Sequence, residues 1–168
     1  MKNTRLVATV GHDSAAAVAA IPDFGENKLY ISIGTNVSMG VERSECLLSR
    51  EGYLKGFKNT GGIDRKKIIY RDFSACWHLN EFIRTRKEQG ITYSFVDLIN
   101  MALEVKNPVP WFDVEVLSFN EAGGDFCRKM NQYFAQTGQR ELTEDGEFVR
   151  SIYESIVLKI RHYAEALK

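Results

Sequence analysis

Asp13 sits between His12 and Ser14, at the mouth of a run from Ser14 to Ala20 that is almost entirely Ala and Val. Such a run favours a slim helix, preceded by Gly11 and stopped by Pro22. An acid at its first turn has two uses. It can cap the helix, because a carboxylate is stabilised by free N–H groups and the helix dipole. It can also be a general base held ionised beside an imidazole and a hydroxyl. Ala15, Ala16, Ala17 and Ala19 leave room for a bulky ligand nearby.

A second candidate lies a short spacer away. Leu29, Ile31 and Ile33 alternate with Tyr30 and Ser32, and Val37, Met39 and Val41 alternate likewise, which is strand periodicity. Gly34-Thr35-Asn36 joins the two runs. The pattern predicts a β-hairpin with glycine supplying the tight-turn torsions. The same Gly-Thr pair can receive an anion, since backbone N–H groups approach closely at glycine and threonine adds a hydroxyl donor.

The order of these features, an apolar strand ending in GHD, a small-residue helix, then YISIGTNVSMGVE, resembles the FGGY carbohydrate kinases and, within them, most closely the rhamnulokinase branch. The resemblance continues through FKNTGGIDR, the helix around Trp77, and TGQRELTEDGEFVRSIYESIVLKIR; residues 90–120 match loosely. It implies an α/β fold of the actin-like ATPase (ribonuclease H-like) class, a mixed sheet with packed helices. It implies ATP-dependent phosphorylation of the primary hydroxyl of a ketose, L-rhamnulose-like, with Mg2+ as counter-charge. Asp13 would be the catalytic base and His12, Asp13 and Ser14 would line the sugar site. Gly34 and Thr35 would hold the ATP phosphates. Where the family carries an Asn and a Gln as nucleotide contacts near Trp77, this chain has Asp72 and Asn80. Asn36 stands where rhamnulokinases usually carry Trp. Such kinases are far longer and have two domains. The chain therefore reads as truncated at both ends, matching the end of the first domain and the N-terminal part of the second. A non-catalytic fragment or interaction module of kinase ancestry is the alternative.

The elements that must position these residues follow in order. With 168 residues the prior is a single domain able to bury a core. Apolar residues make up 44% and charged residues 26%, with 22 basic against 22 acidic. This balance argues against nucleic acid or an anionic membrane as partner. Cys46, Cys76 and Cys127 have no zinc spacing and read as reduced, buried thiols in a cytoplasmic protein. No run is long and apolar enough for a membrane span.

Leu6–Val10 reads as a strand and residues 23–27 as a polar turn. Residues 46–58 read as irregular, and Asn59-Thr60-Gly61-Gly62 as a turn before a strand over 66–70. Gly61-Gly62 could also touch phosphate. Residues 73–87 predict a helix with Phe73, Cys76, Trp77, Asn80, Ile83 and Arg84 recurring at helical spacing. Arg84, Arg86 and Lys87 form its solvated basic end. Thr92 or Ser94 caps the next helix, with Val96, Ile99 and Leu103 on one face. Trp111–Phe119 reads as a strand with Phe112, Val114 and Val116 inward and Asp113 and Glu115 solvated. A helix over 125–136 turns Phe126, Met130, Tyr133 and Phe134 inward. The last helix, from Thr143, carries a stripe of Val149, Ile152, Ile156, Ile160, Tyr163 and Leu167, widened by Phe148 and Leu158, which wants a sheet to cover. A homo-oligomer covering a bare part of that stripe is the expected self-partner.

Overall fold

The computed structural model describes residues 4–5, 13–22 and 28–168. The strand over 6–10, Gly11, His12 and the turn over 23–27 lie outside the described residues. The described chain is mixed α/β: a four-stranded antiparallel sheet and six helices. In chain order the elements are α1 (Asp13–Ala19), β1 (Leu29–Ile33), β2 (Asn36–Arg43), α2 (Arg50–Leu54), β3 (Lys58–Gly61), β4 (Lys67–Ser74), α3 (Cys76–Glu88), α4 (Phe95–Glu104), α5 (Phe126–Gln136) and α6 (Asp145–Ala166). A 3-10 turn covers Leu117–Phe119.

Contacts divide the chain into two compact units. The first holds the described residues up to Ile31 together with Met39–Arg71; the second holds Ser32–Ser38 and Asp72–Lys168. The strand order is β1-β2-β4-β3. β2 follows its predicted alternation: Val37, Met39 and Val41 are buried. β1 does not, because Leu29, Ile31 and Ile33 are all exposed.

Two turn signals resolve differently from expectation. Asn59, Thr60 and Gly61 are strand, paired in register with Ile69, Ile68 and Lys67. The reversal is made by residues 62–66, where Asp64 and Arg65 take left-handed backbone (φ 53° and 65°). Asn59 serves as a side-chain strut: its Oδ1 accepts from the Leu47 amide at 2.8 Å and its Nδ2 donates to the Leu47 carbonyl at 3.0 Å. The stretch read as irregular contains α2, capped by Ser49 Oγ, which accepts from the Gly52 amide at 3.1 Å.

The core of the second unit is helical. α6 packs mainly on α4, and α3 packs on both α5 and α6. The α6 stripe is therefore covered mainly by helices, with Tyr163 packed on Phe73 of β4 (ring centroids 5.6 Å apart). Val149, Ile152, Ile156, Tyr163 and Leu167 are buried, and Ser151 and Ser155 are buried beside them. Leu158, assigned to the stripe, is exposed with Val157. The α4–α6 crossing is close: a Cβ on Gly146 would stand 2.9 Å from the Met101 carbonyl. That approach selects Leu98 and Ala102 as the buried face of α4, and Val96, Ile99 and Leu103 are left 63, 48 and 61% exposed.

Residues 111–116 alternate as predicted, with Phe112 and Val114 buried, yet form no strand. Side chains satisfy their backbone instead. The Phe112 amide donates to Ser155 Oγ at 3.0 Å, and Gln139 bonds both the Trp111 amide and its carbonyl. Asn120 donates to the Val114 and Val116 carbonyls. Asp113 and Glu115 are not merely solvated: Lys159 Nζ reaches them at 2.7 and 2.9 Å, and the Tyr163 hydroxyl donates to Glu115. The basic end of α3 is likewise engaged. Arg84 pairs with Glu81 and Glu88, and Arg86 with Asp145 at 2.5 Å. Tyr93 donates to the same Asp145 at 2.7 Å.

Candidate functional site

Asp13 is the first residue of α1 and is exposed. Its Oδ1 accepts from the Ser14 amide at 2.7 Å, with the Ser14 hydroxyl at 3.5 Å. Only Val18 of the helix is buried, so Ala17 and Ala19 present a slim outer face. These residues belong to the first unit; His12 lies outside the described residues.

Gly34 and Thr35 belong to the second unit, where they meet the start of α3. Ala75, the residue before that helix, supplies no side-chain cap. The turn supplies one from its backbone. The Ala75 and Trp77 amides donate to the Thr35 carbonyl at 3.0 and 3.1 Å, and the Cys76 amide donates to the Gly34 carbonyl at 3.3 Å. Amides that a helix otherwise leaves open at its N-terminus are thus satisfied by the hairpin. Sequence reasoning did not find this contact. The signal that was present is negative: the helix begins after Ser74-Ala75 without a capping box.

Gly34 itself departs from expectation. Its φ lies outside the left-handed region, and a Cβ there would meet only the Asn36 carbonyl at an ordinary 3.8 Å. Nothing among the described residues requires a glycine at this position, and both Gly34 and Thr35 are exposed. Glycine at an exposed turn also permits close approach of another group to the backbone.

The two nucleotide candidates separate. Asp72, just before the helix expected over 73–87, is a half-buried residue of β4, because the strand runs on to Ser74 and takes Phe73 with it. Asn80 is on α3 and exposed. The buried face of α3 is His78, Leu79, Glu81, Phe82 and Thr85. Trp77 is half-buried and donates its indole N–H to the Phe119 carbonyl at 3.3 Å.

His78 carries no functional role in the sequence reading, since two residues apart on a helix it and Cys76 point different ways. It is fully buried, stacked on Phe126 and edge-on to Phe112, and neither ring nitrogen makes a well-formed hydrogen bond. Burial pulls its pKa from 6.5 to about 4, against the opposing pull of the nearby Val114 and Phe119 carbonyls and Glu81. It is a neutral core residue at ordinary pH. Burial also pushes the Cys127 thiol up to about 12, and Cys76 rises for the same reason. Cys46, expected to be buried, is exposed. Among the described residues no group of three or more His, Cys, Asp or Glu is arranged for a metal ion, and no helix is long and apolar enough to cross a membrane. Mg2+ in phosphoryl transfer is held largely by substrate phosphates with one or two carboxylates, so its site need not show a cluster of acids.

No family model matches the chain. Rhamnulokinase from Bacteroides thetaiotaomicron is 30% identical to it over 97% of this chain and 33% of the relative. Rhamnulokinases from Enterococcus faecalis and Pectobacterium atrosepticum are 27 and 25% identical, over 94 and 93% of this chain and 31 and 30% of theirs. The chain is similar to rhamnulokinases. It spans about a third of the length of these curated relatives. The similarity to rhamnulokinases takes in Asp13, the Gly34-Thr35 turn and α3 alike, since it leaves almost none of the chain uncovered.

Proposed function

We propose that this chain carries part of an ATP-dependent carbohydrate kinase site that phosphorylates the primary hydroxyl of a ketose, L-rhamnulose-like, in the cytoplasm. Similarity to rhamnulokinases over 97% of the chain carries the reading. The glycine that the fold does not require at position 34 supports its phosphate half.

In this reading Asp13 accepts the proton of the attacking hydroxyl. Its exposed carboxylate, oriented by the Ser14 amide, suits a group that must meet a substrate. His12 and Ser14 bind sugar hydroxyls. The Gly34-Thr35 backbone and the Thr35 hydroxyl hold the transferring phosphates, and Asp72 and Asn80 make weaker nucleotide contacts. Mg2+ would neutralise phosphate charge. Positioning and electrostatics dominate phosphoryl transfer, so turnover needs every part of the cleft. The chain corresponds to the end of one domain and the beginning of the next in such kinases.

A second reading, a non-catalytic interaction module of kinase ancestry, is favoured by the apolar side chains left exposed on β1, α4 and α6. Self-association through α6 would engage Val157 and Leu158.

Calorimetric titration of MgATP into the chain, with and without L-rhamnulose, separates the two. The kinase reading expects nucleotide binding in the micromolar range, tightened by the sugar and weakened in Thr35→Ala. Absence of heat up to millimolar nucleotide would leave the module reading standing.

A further inference from the structure

We infer that Trp77 is a positioning residue for the Gly34-Thr35 turn, an inference that rests on the phosphate role proposed for that turn. The argument starts from the peptide plane. The chain has no cis peptide among its described residues, so each C=O points opposite to the N–H of the same peptide. The Gly34 carbonyl is aimed at the Cys76 amide and the Thr35 carbonyl at the Ala75 and Trp77 amides. The N–H groups of those two peptides, on Thr35 and Asn36, are therefore directed away from α3. Anchoring the carbonyls sets the direction of the Thr35 amide, the donor an incoming phosphate would use.

An anchor must itself be fixed. Trp77 makes two of the relevant bonds at once. Its backbone amide holds the Thr35 carbonyl at 3.1 Å, and its indole N–H holds the Phe119 carbonyl at 3.3 Å. The Phe119 ring is buried among aromatic neighbours: its centroid lies 4.5 Å from Phe112, 5.4 Å from Tyr133 and 5.9 Å from Phe126. The turn is thereby referenced through one side chain to the aromatic cluster around Phe119.

Linkage gives the test a form that a purely structural tryptophan would not satisfy. If phosphate binding and the turn–helix bonds are coupled, ligand must strengthen those bonds as much as the bonds strengthen ligand. Backbone amide spectra of the whole chain are recorded during MgATP titration, and amide hydrogen exchange is measured at saturation. The expected result is a shift of the Thr35 amide and exchange at Ala75, Cys76 and Trp77 slowed about fivefold or more, with α4 and α6 unchanged. Trp77→Phe should weaken MgATP by a similar factor.

If Thr35 shifts but exchange at 75–77 stays constant and Trp77→Phe titrates like the parent, the positioning role is overturned and the phosphate role survives. If Thr35 itself does not respond to MgATP, the phosphate role falls and takes the inference with it. Should Trp77→Phe fail to fold, the exchange measurement on the unaltered chain decides alone.

Discussion

Replacing Lys159 by methionine removes the cation that Asp113 and Glu115 share. A unit pair about 3 Å apart is worth roughly 5–6 kcal/mol gross at an effective dielectric of about 20. Desolvation of the partners cancels most of that. The two arms differ in exposure. The Asp113 side chain is 47% exposed, so its arm is screened and contributes under about 1 kcal/mol. Glu115 is 24% exposed and Lys159 only 14%, so the second arm sits closer to the buried regime. Losing the lysine leaves Glu115 with the Tyr163 hydroxyl and a partial desolvation cost of about 1–2 kcal/mol. Lys159→Met should therefore cost about 2 kcal/mol, and Asp113→Asn about 0.5 kcal/mol.

Both tryptophans lie in the second unit, so intrinsic fluorescence during urea unfolding reports it. The expected midpoint shift for Lys159→Met is about 1 M at an m-value of about 2 kcal/mol/M. The pH dependence has a definite sign. Burial pushes Asp113 up, but the Lys159 bond, the Glu115 amide and the charges of Lys159 and His162 outweigh it, and its pKa falls below 3.8. Its contribution is present above that pH and is lost as pH drops through the lower folded value. Burial pulls Lys159 down, but its two acids raise it above 10.5 overall; its contribution is lost only as pH climbs through that higher value. The reasoning is refuted if Lys159→Met costs less than about 0.5 kcal/mol or no more than Asp113→Asn does.

Two further outcomes follow from the packing. His78 is depressed from 6.5 to about 4. Because the unfolded chain binds that proton first, stability should erode by up to about 3 kcal/mol as pH falls across that window, and His78→Leu should flatten this part of the profile. In the first unit, a Cβ on Gly40 would collide with the Ile69 carbonyl and stand 2.9 Å from both Tyr30 and Tyr70. Gly40→Ala should cost about 2–3 kcal/mol in thermal unfolding followed by circular dichroism, and an unchanged midpoint would show that the sheet yields there.

What could be read in advance was whatever is encoded locally. Ser94, one of two caps offered for α4, the helix over 125–136 and the buried positions of β2 are all properties of short windows, and each stands close to where the pattern puts it. What could not be read depends on partners distant in sequence. α4 is apolar on two sides, and periodicity alone cannot choose between Val96-Ile99-Leu103 and Leu98-Ala102; the glycine on α6 decides. The alternation at residues 112–116 is genuine, but Ser155, Gln139 and Asn120 occupy the backbone groups that a neighbouring strand would need. At the candidate site, the motif order picked out Gly34 and Thr35. The bonds that fix them come from α3 and left no mark on the hairpin itself.

The cap borrowed by α3 also bears on the order in which this chain acquires its structure. A helix that carries its cap on an adjacent residue can nucleate as soon as its own turn forms. The first turn of α3 instead waits for carbonyls supplied by a hairpin far upstream, so a long loop must close before those amides gain partners. The expected order is that the C-terminal turns of α3 form first and its first turn follows once the hairpin is in place. The segment proposed to face phosphate is thus completed late, from two parts of the chain that neither can finish alone.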